Sequence, residues 1–280
     1  MKIPSFDLSS TGEPLHFLHA NGYPPECYRP LLDLFAARYR VFGMLLRPLW
    51  PHSRPEEIND WGPFSADLLE FLSAGEAAPL IGVGHSIGAI VTLRAALQDP
   101  SRFRALVLYD PVLFPRFTIL QWNLARLLAL GNVLHPKITG ALKRRRLFDD
   151  LETVVRGYRR REVFRYMDEA GLRAYVHGMV EASPDGKYRL KYSPEWETRV
   201  YYTGIWHDLD LWRSLPDLKI PALIIRGEET DTFLASSAHA VQRANPAIRI
   251  VTLEKSTHLL PLERPQEVFD ITCSFLKESL

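Results

Sequence analysis

Three side chains, Ser86, Asp231 and His258, stand in the order and the local settings that nucleophilic acyl transfer requires. Ser86 is the centre of Gly84-His85-Ser86-Ile87-Gly88, a G-x-S-x-G pentapeptide between an apolar run and an amphipathic segment. A serine hydroxyl is a weak nucleophile until a base takes its proton, and a sharp strand-to-helix turn lifts it clear of its neighbours. Glycines flank such a turn because a Cβ there would run into adjoining backbone. The helix behind it aims free amides and the positive end of its dipole at the same place. The pentapeptide alone is weakly diagnostic, so its surroundings decide its meaning.

The base expected for Ser86 is His258, the last histidine of the chain, in Ser256-Thr257-His258-Leu259-Leu260-Pro261. The acid expected to orient it is Asp231, which closes the segment Arg226-Gly227-Glu228-Glu229-Thr230-Asp231 after the preceding strand. Asp110 also ends a strand and is the alternative acid, followed by Glu228 and Glu229. Two donors must meet the developing oxyanion, and the backbone amides of Asn21, in His19-Ala20-Asn21-Gly22, and of Ile87 are placed to supply them. His19 is expected to shape that turn and His85 to hold the turn beside the nucleophile. Trp50 and His85 are the candidates for substrate contact.

Alternating elements must position these groups. Leu15 to His19 reads as a strand, Glu26 to Tyr39 as a helix and Arg40 to Leu46 as a strand. A helix over Trp61 to Ala74, a strand over Pro79 to Gly84, a helix over Ile87 to Gln98 and a strand over Arg104 to Tyr109 follow. The pattern breaks at Asp110-Pro111. Residues 112–215 are helical in character and rich in Arg, Tyr and Trp, with helical stretches near 118–131, 136–165 and 168–181. Alternation then resumes with a strand over Pro221 to Arg226, a helix over Phe233 to Ala244, a strand over Ile248 to Leu253 and a last helix from about Pro265 to Lys277. The expectation is a core of residues 1–111 and 216–280, with 112–215 inserted as a helical lid.

In these pieces the chain resembles the α/β-hydrolase family over essentially its whole length. His19-Ala20-Asn21-Gly22 is similar to the family's oxyanion turn, Gly84 to Gly88 to its nucleophile elbow, Gly227 to Asp231 to its acid loop and His258 to Pro265 to its base loop. The resemblance implies an α/β fold, with a mostly parallel central sheet flanked by helices and a lid inserted into it. It implies a serine hydrolase with no cofactor and no metal. The expected reaction is cleavage of a carboxylic ester or lactone in a small to medium hydrophobic substrate, through an acyl-enzyme. Amide, thioester and carbon–carbon bond hydrolysis on the same triad are alternatives, as is a non-turnover receptor of the same fold. Ser86 separates the chain from the haloalkane dehalogenase and epoxide hydrolase branches, whose elbow carries an aspartate. The chain departs from the family pattern twice: Ile3 to Leu8 is the only candidate strand before Leu15, and Ala20 replaces the second glycine of the oxyanion turn.

Composition bounds the remaining possibilities. With 280 residues, 46% apolar and 24% charged, the sequence excludes disordered and low-complexity architectures. A formal net charge of +1 supplies no overall field for nucleic acid or an anionic membrane, so no nucleic-acid partner and no membrane insertion are expected. Cys27 and Cys273 lie far apart without metal-ligand spacing, and no signal-peptide core follows Met1, so a reducing, cytoplasmic setting is expected. The main charge feature is Lys143 to Arg165, with nine basic residues against four acidic ones, read first as the solvated face of a lid helix.

Overall fold

The structure, a computed structural model, describes residues 2–75, 79–130 and 135–280. The chain begins with β1 (Ser5–Asp7), β2 (Glu13–Leu18), α1 (Arg29–Ala36), β3 (Tyr39–Met44), α2 (Gly62–Gly75), β4 (Leu80–His85), α3 (Ile87–Gln98) and β5 (Phe103–Tyr109). It continues through α4 (Arg116–Leu127), α5 (Pro136–Leu142), β6 (Leu147–Phe148), α6 (Leu151–Arg159), α7 (Glu169–Met179), β7 (Val180–Ala182), β8 (Tyr188–Leu190), α8 (Pro194–Thr203) and α9 (Asp208–Ser214). The last elements are β9 (Ala222–Gly227), α10 (Ala235–Ala244), β10 (Arg249–Leu253), a short α11 (Leu260–Glu263) and α12 (Pro265–Ser279).

Seven strands form one sheet in the order β1-β3-β2-β4-β5-β9-β10. All neighbours are parallel except β1, which pairs antiparallel with β3 from Ser5↔Met44 to Asp7↔Phe42. Successive side chains on a strand point to opposite faces, and the core sorts accordingly. Leu106, Leu108 and Ile224 pack on the side of α2, α3 and α10, whereas Val107, Tyr109 and Ile225 pack on the side of α1 and α12. With both faces covered, the central strands are apolar runs, and β4 and β9 are buried along their whole length.

Strands β5 and β9 are direct neighbours, from Leu106↔Ala222 to Tyr109↔Ile225, so the residues between them are an excursion from the sheet. That excursion is not purely helical, contrary to the sequence expectation. Strands β6, β8 and β7 make a small antiparallel sheet, and the helix expected over 136–165 divides into α5 and α6. Asp150 causes the restart: its carboxylate accepts the N–H groups of Glu152 and Thr153 and caps a new helix. Strands of two or three residues carry too little alternation to be read from sequence. The helix expected to end at 131 is seen as α4, ending at Leu127; residue 131 itself lies outside the described residues. On α4, Phe117, Leu120, Leu124 and Leu127 are exposed. The residues of chemical interest follow the C-terminal ends of β2, β4, β5, β9 and β10, the edge at which parallel sheets open a crevice.

Candidate active site

Strand β4 ends at His85, α3 begins at Ile87, and Ser86 makes the turn between them at φ +58°, ψ −118°. A side-chain-bearing residue seldom adopts this backbone, and the surrounding packing holds it there. The Ser86 N–H donates to the Tyr109 carbonyl at 2.9 Å. A Cβ on Gly88 would lie 2.2 Å from the Leu18 carbonyl oxygen, and one on Gly84 would lie 2.5 Å from the Gly88 carbonyl carbon. Helix α3 therefore crosses β2 and β4 at a distance that only glycine permits.

His258 lies in the loop between β10 and α11, with Nε2 3.0 Å from Ser86 Oγ and Nδ1 2.7 Å from Asp110 Oδ2. A nitrogen facing a carboxylate must carry the proton, so Nδ1–H donates to Asp110 and the Nε2 lone pair is left to accept from the serine hydroxyl. The arrangement is suited to removing a proton from Ser86 and returning it to a leaving group.

The acid in contact with the histidine is Asp110, not Asp231 as expected from the sequence. Asp110 ends β5, the immediate neighbour of β4, at whose end Ser86 stands, and is fully buried at φ +40°. Its Oδ1 accepts the Gly227 N–H at 3.2 Å, and its Oδ2 accepts the Thr230 hydroxyl at 2.5 Å. The loop after β9 thus donates to the acid rather than supplying it. Asp231 lines the same cavity, but its side chain is 67% exposed and meets Lys137 Nζ at 3.3 Å and the Thr232 hydroxyl at 2.8 Å.

Asn21 and Ile87 line the cavity together with Ser86 and His258. Among the described residues, no protein acceptor outside regular structure takes either backbone N–H. The Asn21 side chain donates to the Glu197 carbonyl of α8 at 3.1 Å, tying this turn to the excursion. His19 braces it from below: its Nε2 accepts the Leu46 N–H at 3.1 Å, and its Nδ1–H donates to the Ala20 carbonyl at 2.9 Å.

A relay that the sequence did not disclose joins the three loops. The Ala20 N–H donates to the Tyr28 hydroxyl (3.2 Å), which donates to His85 Nδ1 (2.7 Å), and His85 Nε2–H donates to the His258 carbonyl (2.8 Å). Burial, reinforced by the neighbouring His258, pushes the His85 pKa well below 6.5, so it stays neutral and keeps one donor and one acceptor. Glu263 completes the base loop by accepting both the N–H and the hydroxyl of Thr257 at 2.7 Å.

The cavity over Ser86 has a volume of about 800 Å3. Its walls include Trp61, Val112, Phe114, Trp122, Val200 and Ile205, and charged groups of Lys137, Arg165, Glu229 and Asp231 stand along it. Neither expected contact residue is among the lining. His85 is fully buried beside Ser86 in the relay. Trp50 turns back on its own strand end, donating from Nε1 to the Leu45 carbonyl at 2.6 Å under the Arg47 guanidinium. Trp61 fills the wall position instead, fixed by a 3.1 Å bond from its Nε1 to the Val200 carbonyl. No sequence pattern distinguishes one tryptophan from the other. Of the tryptophans and tyrosines in 112–215, Trp122 and Tyr201 line the cavity beside Phe114 and His135, whereas Tyr175, Trp196 and Trp212 are packed in the core.

The family model described as "Alpha/beta hydrolase family" matches residues 17–271, and the chain belongs to the α/β hydrolase family. Among curated relatives, an epoxide hydrolase of Caballeronia sordidicola is 27% identical over 118 residues, 37% of this chain and 36% of that protein, so the matched stretch spans about a third of that relative. A 2-(acetamidomethylene)succinate hydrolase of Mesorhizobium japonicum is 21% identical over 95% of this chain and 88% of its own length. Among solved structures, E-2-(acetamidomethylene)succinate hydrolase superposes with a TM-score of 0.77 at 20% identity, covering 98% of this chain and 94% of that one. An esterase of Mycobacterium tuberculosis gives 0.72 at 20% identity, covering 99% and 88%. At these identities the structural likeness speaks for the fold.

Proposed function

We propose that the protein is a serine hydrolase cleaving a carboxylic ester or lactone bond of a small to medium hydrophobic substrate through an acyl-enzyme. The observation that carries this reading is the continuous contact from Asp110 through His258 to Ser86 Oγ at the floor of a largely apolar cavity. His258 takes the Ser86 proton as Oγ attacks the carbonyl carbon, and Asp110 holds the imidazole tautomer and faces the imidazolium that forms. The amides of Asn21 and Ile87 meet the oxyanion. His258 then protonates the leaving group, and a water activated by the same imidazole releases the acid. In this reading residues 1–111 and 216–280 form the catalytic core and residues 112–215 cap it, supplying apolar walls such as Trp122 and Val200. The names of these two curated relatives agree with cleavage by water and differ in the substrate they name.

Hydrolysis of p-nitrophenyl esters from acetate to long acyl chains tests the proposal. Turnover is expected for short and medium chains, with kcat falling on the order of 10^5-fold in Ser86→Ala while the fold is kept. Near-normal turnover by folded Ser86→Ala would overturn it. A fluorophosphonate probe should label Ser86 covalently in the wild type.

A further inference from the structure

The basic stretch that the hydrolase reading leaves unexplained forms a second pocket. It has a volume of about 440 Å3 and is bounded by α5, the turn before β6, and α6 with the residue pair that follows it. Lys143, Arg144, Arg145 and Arg161 line it together with Thr153 and Tyr158, and no carboxylate is among the described residues of its wall. Part of the charge is answered from outside: Arg144 Nη1 meets Glu197 at 2.6 Å and Arg145 Nη2 meets Asp149 at 2.9 Å. The rest is not. Among the described residues, no carboxylate pairs with Lys143 or Arg161. The Arg161 guanidinium lies 4.3 Å from the centroid of the Tyr158 ring, and stacking of this kind fixes the group while leaving its in-plane N–H donors to an acceptor. The Cβ positions of Gly140 and Gly157 meet no atom within 4 Å, which keeps the wall low.

With Arg144 and Arg145 answered, Lys143 and Arg161 leave two uncompensated positive charges around one concavity, which an anion seated there would offset, and a solvated outer helix face needs no concavity. Four of the five remaining Arg residues of the stretch behave as such a face should: Arg146 pairs with Glu195, Arg156 with Asp150, Arg159 with Glu169 and Arg165 with Glu162 and Glu229, while Arg160 has no carboxylate partner among the described residues and does not line the pocket. The pocket adjoins the catalytic cavity along the chain. Lys137 at the start of α5 lines the cavity and Lys143 just beyond its end lines the pocket, while Arg161 faces the pocket and the next residues, Glu162 and Val163, face the cavity.

We infer that this second pocket is a binding site for a phosphate group, carried either by the substrate whose ester bond reaches Ser86 or by a free phosphate-type anion. Only the substrate source rests on the hydrolase reading. A phosphate offers several acceptor oxygens to the N–H edge of the Arg161 guanidinium and to the Lys143 ammonium, whereas Arg145 already donates from Nε to the Leu147 carbonyl and from Nη2 to Asp149.

The probe is inorganic pyrophosphate, titrated calorimetrically into the full-length protein at constant ionic strength. Saturable binding with one equivalent is expected for the wild type. Lys143→Ala/Arg161→Ala, which alters two exposed side chains and should unfold at the wild-type temperature, is expected to weaken binding by about tenfold or more. Lys219→Ala, which removes a surface cation elsewhere, should leave it unchanged. Absence of binding to the wild type, or equal weakening by Lys219→Ala, overturns the inference. Kinetics separate the sources: pyrophosphate that raises KM for a phosphate-bearing acyl ester, but not for p-nitrophenyl butyrate, assigns the site to the substrate. Binding that leaves both KM values unchanged assigns it to a free anion. Fluorophosphonate labelling of Ser86 without pyrophosphate binding would remove the phosphate site and leave the hydrolase reading, whereas binding without labelling or ester turnover would do the reverse.

Discussion

Asp110 reaches His258 because two neighbours and its own backbone aim its carboxylate. Gly227 and Thr230 each donate to it, and its left-handed backbone, which aspartate tolerates better than most residues, turns the side chain toward the base loop. Asp231 has none of these constraints and shares its charge with Lys137 near solvent. Asp110→Asn should therefore keep the fold but present the wrong partner to Nδ1, lowering kcat by about 10^3- to 10^4-fold on a p-nitrophenyl ester. Asp231→Asn should change kcat by less than about tenfold, since an exposed ion pair contributes little. If steady-state kinetics gave the two variants the opposite ranking, Asp231 would regain the orienting role. The grouping of the site was largely legible in the sequence: Ser86, His258, Asn21 and Ile87 are marked by local motifs, and the structure brings them together around one cavity. The acid was not, because two strands end in plausible aspartate loops and the choice between them depends on side-chain direction rather than chain order. Tyr28 had no signal either, since its bond to His85 links residues 57 apart through the folded core.

At the scale of elements, the site depends on how closely α3 crosses the strands beneath it. Gly88→Ala would put a methyl group 2.2 Å from the Leu18 carbonyl oxygen and 2.7 Å from that of His19, so α3 would have to lift away from β2. Neither contact is with a flexible side chain, and the expected loss of stability is about 1–3 kcal/mol or more. Gly157 offers the opposite case, in the interior of α6 with nothing within 4 Å of its Cβ position. Gly157→Ala removes backbone freedom from the unfolded chain without a clash, and should stabilise by about 0.5–1 kcal/mol. Urea denaturation of both variants measures the pair, and a stable Gly88→Ala protein would show that the elbow packs less tightly than described. The same contrast explains what the sequence disclosed about elements. Buried parallel strands and their helices announce themselves as apolar runs and periodic faces, so β2 to β5, β9 and β10 fall close to their expected places. Strands β6 to β8 exist only because the folded excursion brings two or three residues of each side by side, and no local pattern encodes that.

For the whole molecule, the sheet and the turns at the C-terminal ends of its strands rest on histidines that fold only in their neutral form. Burial lowers His16 to about 3 and His19 to about 4, and it holds His85 well below 6.5. Geometry requires the same state. The Nε2 atoms of His16 and His19 accept the N–H groups of Met44 and Leu46 at 3.1 Å, and His85 Nδ1 accepts the Tyr28 hydroxyl, so protonation would turn each acceptor into a second donor. In the unfolded chain these rings titrate near the ordinary value of about 6.5. Below that pH the unfolded state binds more protons than the native state, so stability rises with pH between the folded and unfolded values and is fully present above about 6.5. Between pH 6.5 and 5.5 each ring should withdraw about 1 kcal/mol, or about 3 kcal/mol together, in a window above the one where most carboxylates titrate. Urea unfolding at pH 7.5, 6.5 and 5.5 reads this directly as a falling midpoint. His16→Gln keeps an acceptor for Met44 but does not titrate, and should remove about 1 kcal/mol of the fall between pH 6.5 and 5.5 while lowering stability at pH 7.5. Unfolding free energies that stay level from pH 7.5 to 5.5 would mean that these rings find a way to carry charge inside the fold, and the acceptor roles assigned to them would be wrong.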